Sequence, residues 1–114
     1  MKASGDGFWE LALSDGSAWY SEWFHHRLGW TEAAKRSFND LRPIFAPDAW
    51  EMLLGQLRAH LERKIPFDAI FPVQLADGRT ESWHMRGVAQ LNEVGHPIHV
   101  AGSVRDVSGE PLQA

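Results

Sequence analysis

Six histidines, no cysteine and a scatter of carboxylates are the side chains here with capacity for chemistry. A metal or haem centre is the first suggestion of such a set, since neutral imidazole is the commonest metal ligand among side chains. The spacing argues against it. His25 and His26 are neighbours on a helical stretch, so their rings point about 100° apart. His84 and His99 fall on separate extended stretches, out of phase with the apolar positions. They read as solvated imidazoles or contacts to another chain, because two ligands do not complete a tetrahedral site. His60 borders an apolar helical stripe beside Leu53 and Leu57 and reads as a satisfied or half-exposed histidine. The absence of cysteine excludes disulfides, zinc–thiolate sites, cysteine nucleophiles and cysteinyl–flavin photochemistry. No carboxylate pair, nucleophile–base arrangement or phosphate loop stands out, and Gly5, Asp6 and Gly7 are too few to cradle a phosphate.

Two sets of residues remain. Asp106 ends an otherwise apolar run, Ile98 to Val107, where an ionised group must be solvated or paired. Arg86 on the preceding strand is the expected partner, with Arg105 as a local one. Paired, Asp106 would latch the end of its strand; unpaired, it would introduce a following helix. The second set is aromatic and aliphatic. The chain carries six Trp and six Phe. Trp9, Leu11, Trp23, Leu28, Trp50, Leu53, Leu54, Leu57, Phe71, Trp83 and Met85 are candidates to line a small-molecule pocket. The same side chains could simply fill a core packed to about 0.75 density.

The elements that must position these residues follow from periodicity. Trp9, Leu11 and Leu13 alternate with Phe8, Glu10 and Ala12, a half-buried strand. Ser14-Asp15-Gly16 turns it back into a second strand, Ser17 to Ser21. Ser21 is a good N-cap for a short helix carrying Trp23, Phe24 and Leu28, which Gly29 stops. Thr31 is expected to cap another short helical piece, and Phe38 to Phe45 reads as a turn-rich connection. Pro47 and Asp48 open the clearest helix, in which Trp50, Leu53, Leu54, Leu57 and Leu61 form one stripe. Gly55 inside it costs about 1 kcal/mol relative to Ala. Pro66 ends the helical region. Phe67, Ala69, Phe71, Val73 and Leu75 then alternate inward up to Asp77-Gly78. Trp83, Met85, Ala89 and Leu91 do so after it, and Gly95-His96-Pro97 leads into the fifth strand. Pro72 cannot donate a ladder hydrogen bond, so its strand belongs at a sheet edge.

Length and composition agree with one soluble domain of 114 residues, 44 % hydrophobic and 23 % charged. A net charge of −4 argues against a nucleic-acid surface. No apolar run approaches the roughly 20 residues needed to cross a bilayer, and no signal peptide is evident, so a cytoplasmic location without direct membrane contact is expected. Strand, strand, helices, then three strands is an α+β order, with helices covering one face of an antiparallel sheet.

That order, with its punctuation, resembles the PAS sensory-box family over nearly the whole chain. Gly7-Phe8-Trp9-Glu10-Leu11, Trp19-Tyr20-Ser21 and Leu28-Gly29-Trp30 resemble the opening hairpin and first helix. Phe45-Ala46-Pro47-Asp48 resembles the Val-His-Pro-Asp-Asp segment, with Ala46 and Ala49 replacing its His and second Asp. Pro66-Phe67, Asp77-Gly78, Trp83, Arg86-Gly87 and Gly95-His96-Pro97 fit the later hairpins. Asp106-Val107-Ser108 resembles the closing Asp-Ile-Thr. The resemblance implies a five-stranded sheet ordered 2-1-5-4-3, and a non-catalytic sensor that binds a small ligand or partner. It implies that Arg86, Asp106, Val107 and Ser108 relay a change to a histidine kinase or diguanylate cyclase (GGDEF) effector in the same parent chain, and that the module pairs as a homodimer. Haem-binding members place a histidine where this chain has Leu53 and Leu54, so haem is not expected. Residues 1–6 then form a lead-in, 7–108 the domain, and 109–114 the start of a linker. A ligand-free dimerisation module is the alternative. A ketosteroid-isomerase-like enzyme fits less well, because such enzymes open with helices.

Overall fold

The computed structural model describes residues 5–31 and 34–110. The expected lead-in and linker therefore lie largely outside the described residues. The opening hairpin pairs β1 (Gly7–Ala12) with β2 (Ser17–Tyr20) around a turn in which the Asp15 carboxylate accepts from the Ser17 amide at 2.9 Å. Helix α1 (Glu22–Leu28) starts after Ser21 and stops at Gly29, whose left-handed φ of 69° closes the last turn. The Ser21 hydroxyl does not cap this helix. It accepts from the Phe8 amide at 2.9 Å, and the Ser21 amide donates back to the Phe8 carbonyl at 2.9 Å. The start of α1 is thereby tied to β1.

The segment after Trp30 departs from expectation. Of the helical piece expected from Thr31, Glu32 and Ala33 lie outside the described residues, and 34–35 have no regular structure. A two-residue strand β3 (Arg36–Ser37) then pairs with Ala18 and Ser17. The connection from Phe38 to Ile44 is a 3-10 helix that buries Phe38 and Leu41. Its start carries a reciprocal cap: the Ser37 side chain meets the third helical amide, and the Asp40 carboxylate accepts from the Ser37 amide.

Helix α2 (Pro47–Arg63) begins at proline and ends at Lys64, and it buries Trp50, Leu53 and Leu57 against the sheet. Three long strands complete the fold: β4 (Phe67–Gln74), β5 (Thr80–Leu91) and β6 (Pro97–Asp106). The sheet order is β3-β2-β1-β6-β5-β4, all antiparallel in its pairings. This is the expected 2-1-5-4-3 array with the short β3 added at one end. β6 runs through the centre and β4 forms the far edge. Leu91 is a correction: it is half exposed, because a register irregularity at Gln90/Leu91 breaks the alternation that keeps Trp83 and Met85 inward.

Candidate functional site

The inner face of the sheet is a lattice of rings. Trp9, Leu11, Trp50, Leu53, Leu57, Phe71, Trp83 and Met85 are buried, while Trp23, Leu28 and Leu54 are partly buried against them. Ring centroids lie 5.1 Å apart for Trp23 and Trp83, 5.8 Å for Phe38 and Trp50, and 6.1 Å for Phe45 and Phe71. One row across the sheet explains how Trp9 fits. Trp9 on β1 lies beside Gly102 on β6, which lies beside Gly87 on β5, which lies beside Phe67 on β4. The indole covers both glycines: a β-carbon on Gly87 would stand 3.1 Å from the ring, and one on Gly102 would run into it. Its far side meets Phe67 edge-on at 6.1 Å, and its N–H points to the Ser103 carbonyl at 3.3 Å. The predicted pocket residues are thus brought together, and here they pack upon one another.

Polar chemistry gathers at one end of that face. Cross-strand pairing sets Asp106 of β6 opposite Trp83 of β5, which places the carboxylate on the inner side. Arg86 lies opposite Ser103 and points outward, where it pairs with Asp68 at 3.4 Å. The expected Arg86–Asp106 pair is therefore incorrect, since the two side chains leave opposite faces of the sheet. Arg105 pairs instead with Glu110 at 2.7 Å.

The partner of Asp106 is Arg27, from the last turn of α1, at 3.5 Å. The same guanidinium donates through Nε to Glu81 Oε1 at 3.1 Å and stacks over the Trp23 ring at 4.4 Å. Glu81 is only 8 % exposed, the single charged residue in the buried core among the described residues. It also accepts from the Trp83 indole at 2.9 Å, and Arg79 stands 3.9 Å away. Beyond Asp106 the chain stays attached to β5. The Val107 amide donates to the Ser82 carbonyl at 2.8 Å, and the Ser82 amide donates to the Ser108 hydroxyl at 2.8 Å. The Ser108 amide and hydroxyl both turn to Asp106 Oδ1. Burial pushes the Asp106 carboxyl up, but the Ser108 hydroxyl and amide and the Arg27 guanidinium together hold it below its ordinary value.

Arg27 and Glu81 were not singled out from sequence. Glu81 carried a signal, because it shares the two-residue phase of Trp83 and Met85 and so had to face inward. Arg27 carried none beyond its place four residues after Trp23.

Three of the histidines, His60, His84 and His99, have local partners. The His60 ring accepts from the Ala89 amide at 3.0 Å through Nε2 and meets the Ile65 carbonyl at 2.8 Å through Nδ1. His84 meets Asp68 at 2.6 Å, and His99 lies near Gln90 and Glu10. Among the described residues no group of three metal-binding side chains converges, and no helix is long and apolar enough to cross a membrane. The outer face carries a shallow groove of about 370 Å³, bordered by Phe8, Arg86, Val88, Ala101 and Ser103.

No family model matches the chain, and no curated protein matches it. Solved structures do. A sensory box histidine kinase/response regulator from Burkholderia thailandensis superimposes with a TM-score of 0.76 at 24 % identity, covering 92 % of this chain and 79 % of that one. The N-terminal domain of a diguanylate cyclase with PAS/PAC sensor from Marinobacter aquaeolei gives 0.78 at 15 % identity, covering 90 % and 95 %. The chain has a PAS fold. The PAS domain of the fruit-fly ELK potassium channel matches it as well, with a TM-score of 0.69 at 16 % identity over 94 % and 90 % of the two chains. In this sheet Asp106 is the last residue of the central strand β6, where the network above converges.

Proposed function

We propose that this chain is a cytoplasmic, non-catalytic PAS signal-transduction module. It receives a stimulus by binding a small ligand or a partner and passes it through the end of β6 to an effector of histidine kinase or diguanylate cyclase type in the same parent chain. The observation that carries this reading is the bridge from α1 to the exit strand. Asp106 is held by Arg27 of α1, and Ser108 is fastened to Ser82 of β5. A shift of α1 therefore changes the restraint on the residues that lead out of the domain, and the module biases its effector between two states.

A route into that bridge starts on the outer face. Phe8 and Val88 are 50 % and 67 % exposed beside the shallow groove, and the Phe8 backbone holds Ser21 at the start of α1. A second copy of the chain is the occupant this reading gives that face, so that pairing would load α1 directly. Dense ring packing on the inner face favours a second reading, a dimerisation module without an internal ligand. Absorbance and native mass spectra of protein purified from cells separate the two, since a retained small molecule adds a mass or a band.

The relay is tested by joining the chain to a reporter kinase. Asp106→Asn should leave the folded spectrum intact and uncouple kinase output from the stimulus or from dimerisation. Output regulated as in the unaltered fusion would refute the relay.

A further inference from the structure

Strand β5 runs on past the start of β4, and a side chain of α2 fills the place that follows. The ladder between the two strands closes with Phe67 opposite Gly87, so the next rung would join the Ala89 amide to the Ile65 carbonyl. The His60 imidazole stands between these two groups instead. Its Nδ1 lies 2.8 Å from the Ile65 carbonyl, and its Nε2 lies 3.0 Å from the Ala89 amide nitrogen. A carbonyl only accepts and an amide N–H only donates, so these partners require a neutral ring with its proton on Nδ1. The same residue closes the helix, because the His60 carbonyl accepts from the Lys64 amide at 3.1 Å. Lys64 itself is left-handed, with φ at 59°, a conformation that a residue other than glycine keeps only when its surroundings impose it.

We propose that His60 is a pH-sensitive fastener: it ties the C-terminal end of α2 to β5 while its ring is neutral and releases the Ala89 amide when the ring is protonated. An imidazolium carries N–H on both nitrogens, so Nε2 would confront the Ala89 donor with a second donor. The Nδ1–H bond to the Ile65 carbonyl survives that change. Protonation therefore cuts one side of the bridge, and this end of α2 stays closed on itself while losing its polar hold on the sheet. Histidine is the side chain that changes charge in the physiological range, so the stimulus this contact fits is a fall in pH. The charged groups on the neighbouring elements turn elsewhere. Glu62, Arg63 and Lys64 at the end of α2 and Glu93 in the turn after β5 are exposed. Phe67, Gly87 and Val100, the residues around Ala89 on the three strands, carry no charge. Asp68, His84 and Arg86 pair with one another on the outer face, where His99 lies near Gln90 and Glu10. The inference goes beyond the relay reading and does not depend on it, since the contact lies wholly between α2 and the sheet.

The bond is directly observable by NMR on the isotope-labelled 114-residue chain. At about pH 8 the Ala89 amide nitrogen should show a coupling through the hydrogen bond to His60 Nε2, and the ring nitrogens should report a proton on Nδ1. Lowering the pH to about 5 should abolish the coupling in step with protonation of the ring. Protection of the Ala89 amide, taken relative to the intrinsic exchange rate at each pH, should fall by roughly threefold to tenfold, as expected for one lost hydrogen bond. Met85, paired with Ala69 further along the same ladder, should keep its protection. A proton on Nε2 at the higher pH, a ring that stays neutral at the lower one, or Ala89 protection unchanged while the ring titrates overturns the proposal.

His60→Gln separates this ring from the other groups that titrate over the same range. A glutamine carbonyl can still accept from the Ala89 amide but does not change charge, so Ala89 protection should lose its dependence on pH. A dependence that persists in His60→Gln also overturns the proposal. Should that variant fail to fold, the coupling and the ring proton are read on the unaltered chain and decide by themselves. These measurements need no effector, so failure of the fastener is distinguishable from failure of the relay, which is read by kinase output.

Discussion

A β-carbon on Gly102 would meet the Trp9 ring on one side and the backbone carbonyl of Arg86 on another, so nothing larger than hydrogen fits there. Gly102→Ala should therefore destabilise the chain by about 3 kcal/mol through overpacking. Pairing it with Trp9→Leu, which withdraws the ring, should cost less than the sum of the two single changes. Urea unfolding followed by circular dichroism measures this, and strict additivity would show that the ring and the glycine do not share the space. The sequence displays Trp9 as an inward residue but not the glycines beneath it, because a close approach between three strands leaves no trace in the period of any one. The acid side chains set a second expectation. Asp106 is held low by the balance already described, and Asp68 is held low by the His84 hydrogen bond and the Arg86 charge. A carboxyl depressed in the folded chain binds its proton more tightly when unfolded. Its contribution is complete above about pH 4, near the ordinary carboxylate value, and is lost as pH falls through the lower folded value. The urea midpoint should therefore fall as the pH is lowered through and below the ordinary carboxylate value near pH 4, and Asp106→Asn should flatten part of that fall.

At the scale of elements, Pro72 shows how far pattern alone reaches. Its missing donor places β4 at a sheet edge, and β4 is an edge strand. The structure adds the orientation. Pro72 lies opposite Ser82, whose amide and carbonyl are both spent on Ser108 and Val107. In an antiparallel ladder both backbone groups of a residue point the same way, so the 72–82 pair makes no ladder bonds and the proline nitrogen faces the open edge. Pro72→Thr should restore a free donor there and promote edge-to-edge association, visible as added higher-mass species in light scattering. An unchanged mass distribution would show that the edge is blocked by something else. The long strands and α2 were legible because each repeats its period several times. β3 was not, since two residues have no period and Arg36–Ser37 becomes a strand only by lying against Ser17 and Ala18. Leu91 misled for a related reason: alternation continues past a bulge in sequence but not in space.

For the whole molecule, the fold divides its two faces between tasks. The inner face is filled by the chain's own rings, and the outer face leaves Phe8, Ile70 and Val88 half exposed or more. If that outer face pairs two copies, Phe8→Asp with Val88→Asp should halve the native mass and leave the thermal transition within a few degrees, because neither side chain belongs to the buried core. What sequence could not reach at this scale is the choice of partner for Asp106. The carboxylate announced itself by ending an apolar strand, but Arg27 lies 79 positions away along the chain and reaches it only when α1 folds against the sheet. Energetic coupling between α1 and the exit strand is the claim on which the relay stands, and a double-mutant cycle measures it directly. Urea unfolding of Arg27→Ala, Asp106→Asn and the double variant should yield a coupling of about 1 kcal/mol, the scale of an ion pair at a partly buried site. Changes that add to within about 0.3 kcal/mol would mean that the two residues ignore each other, and the account would be contradicted.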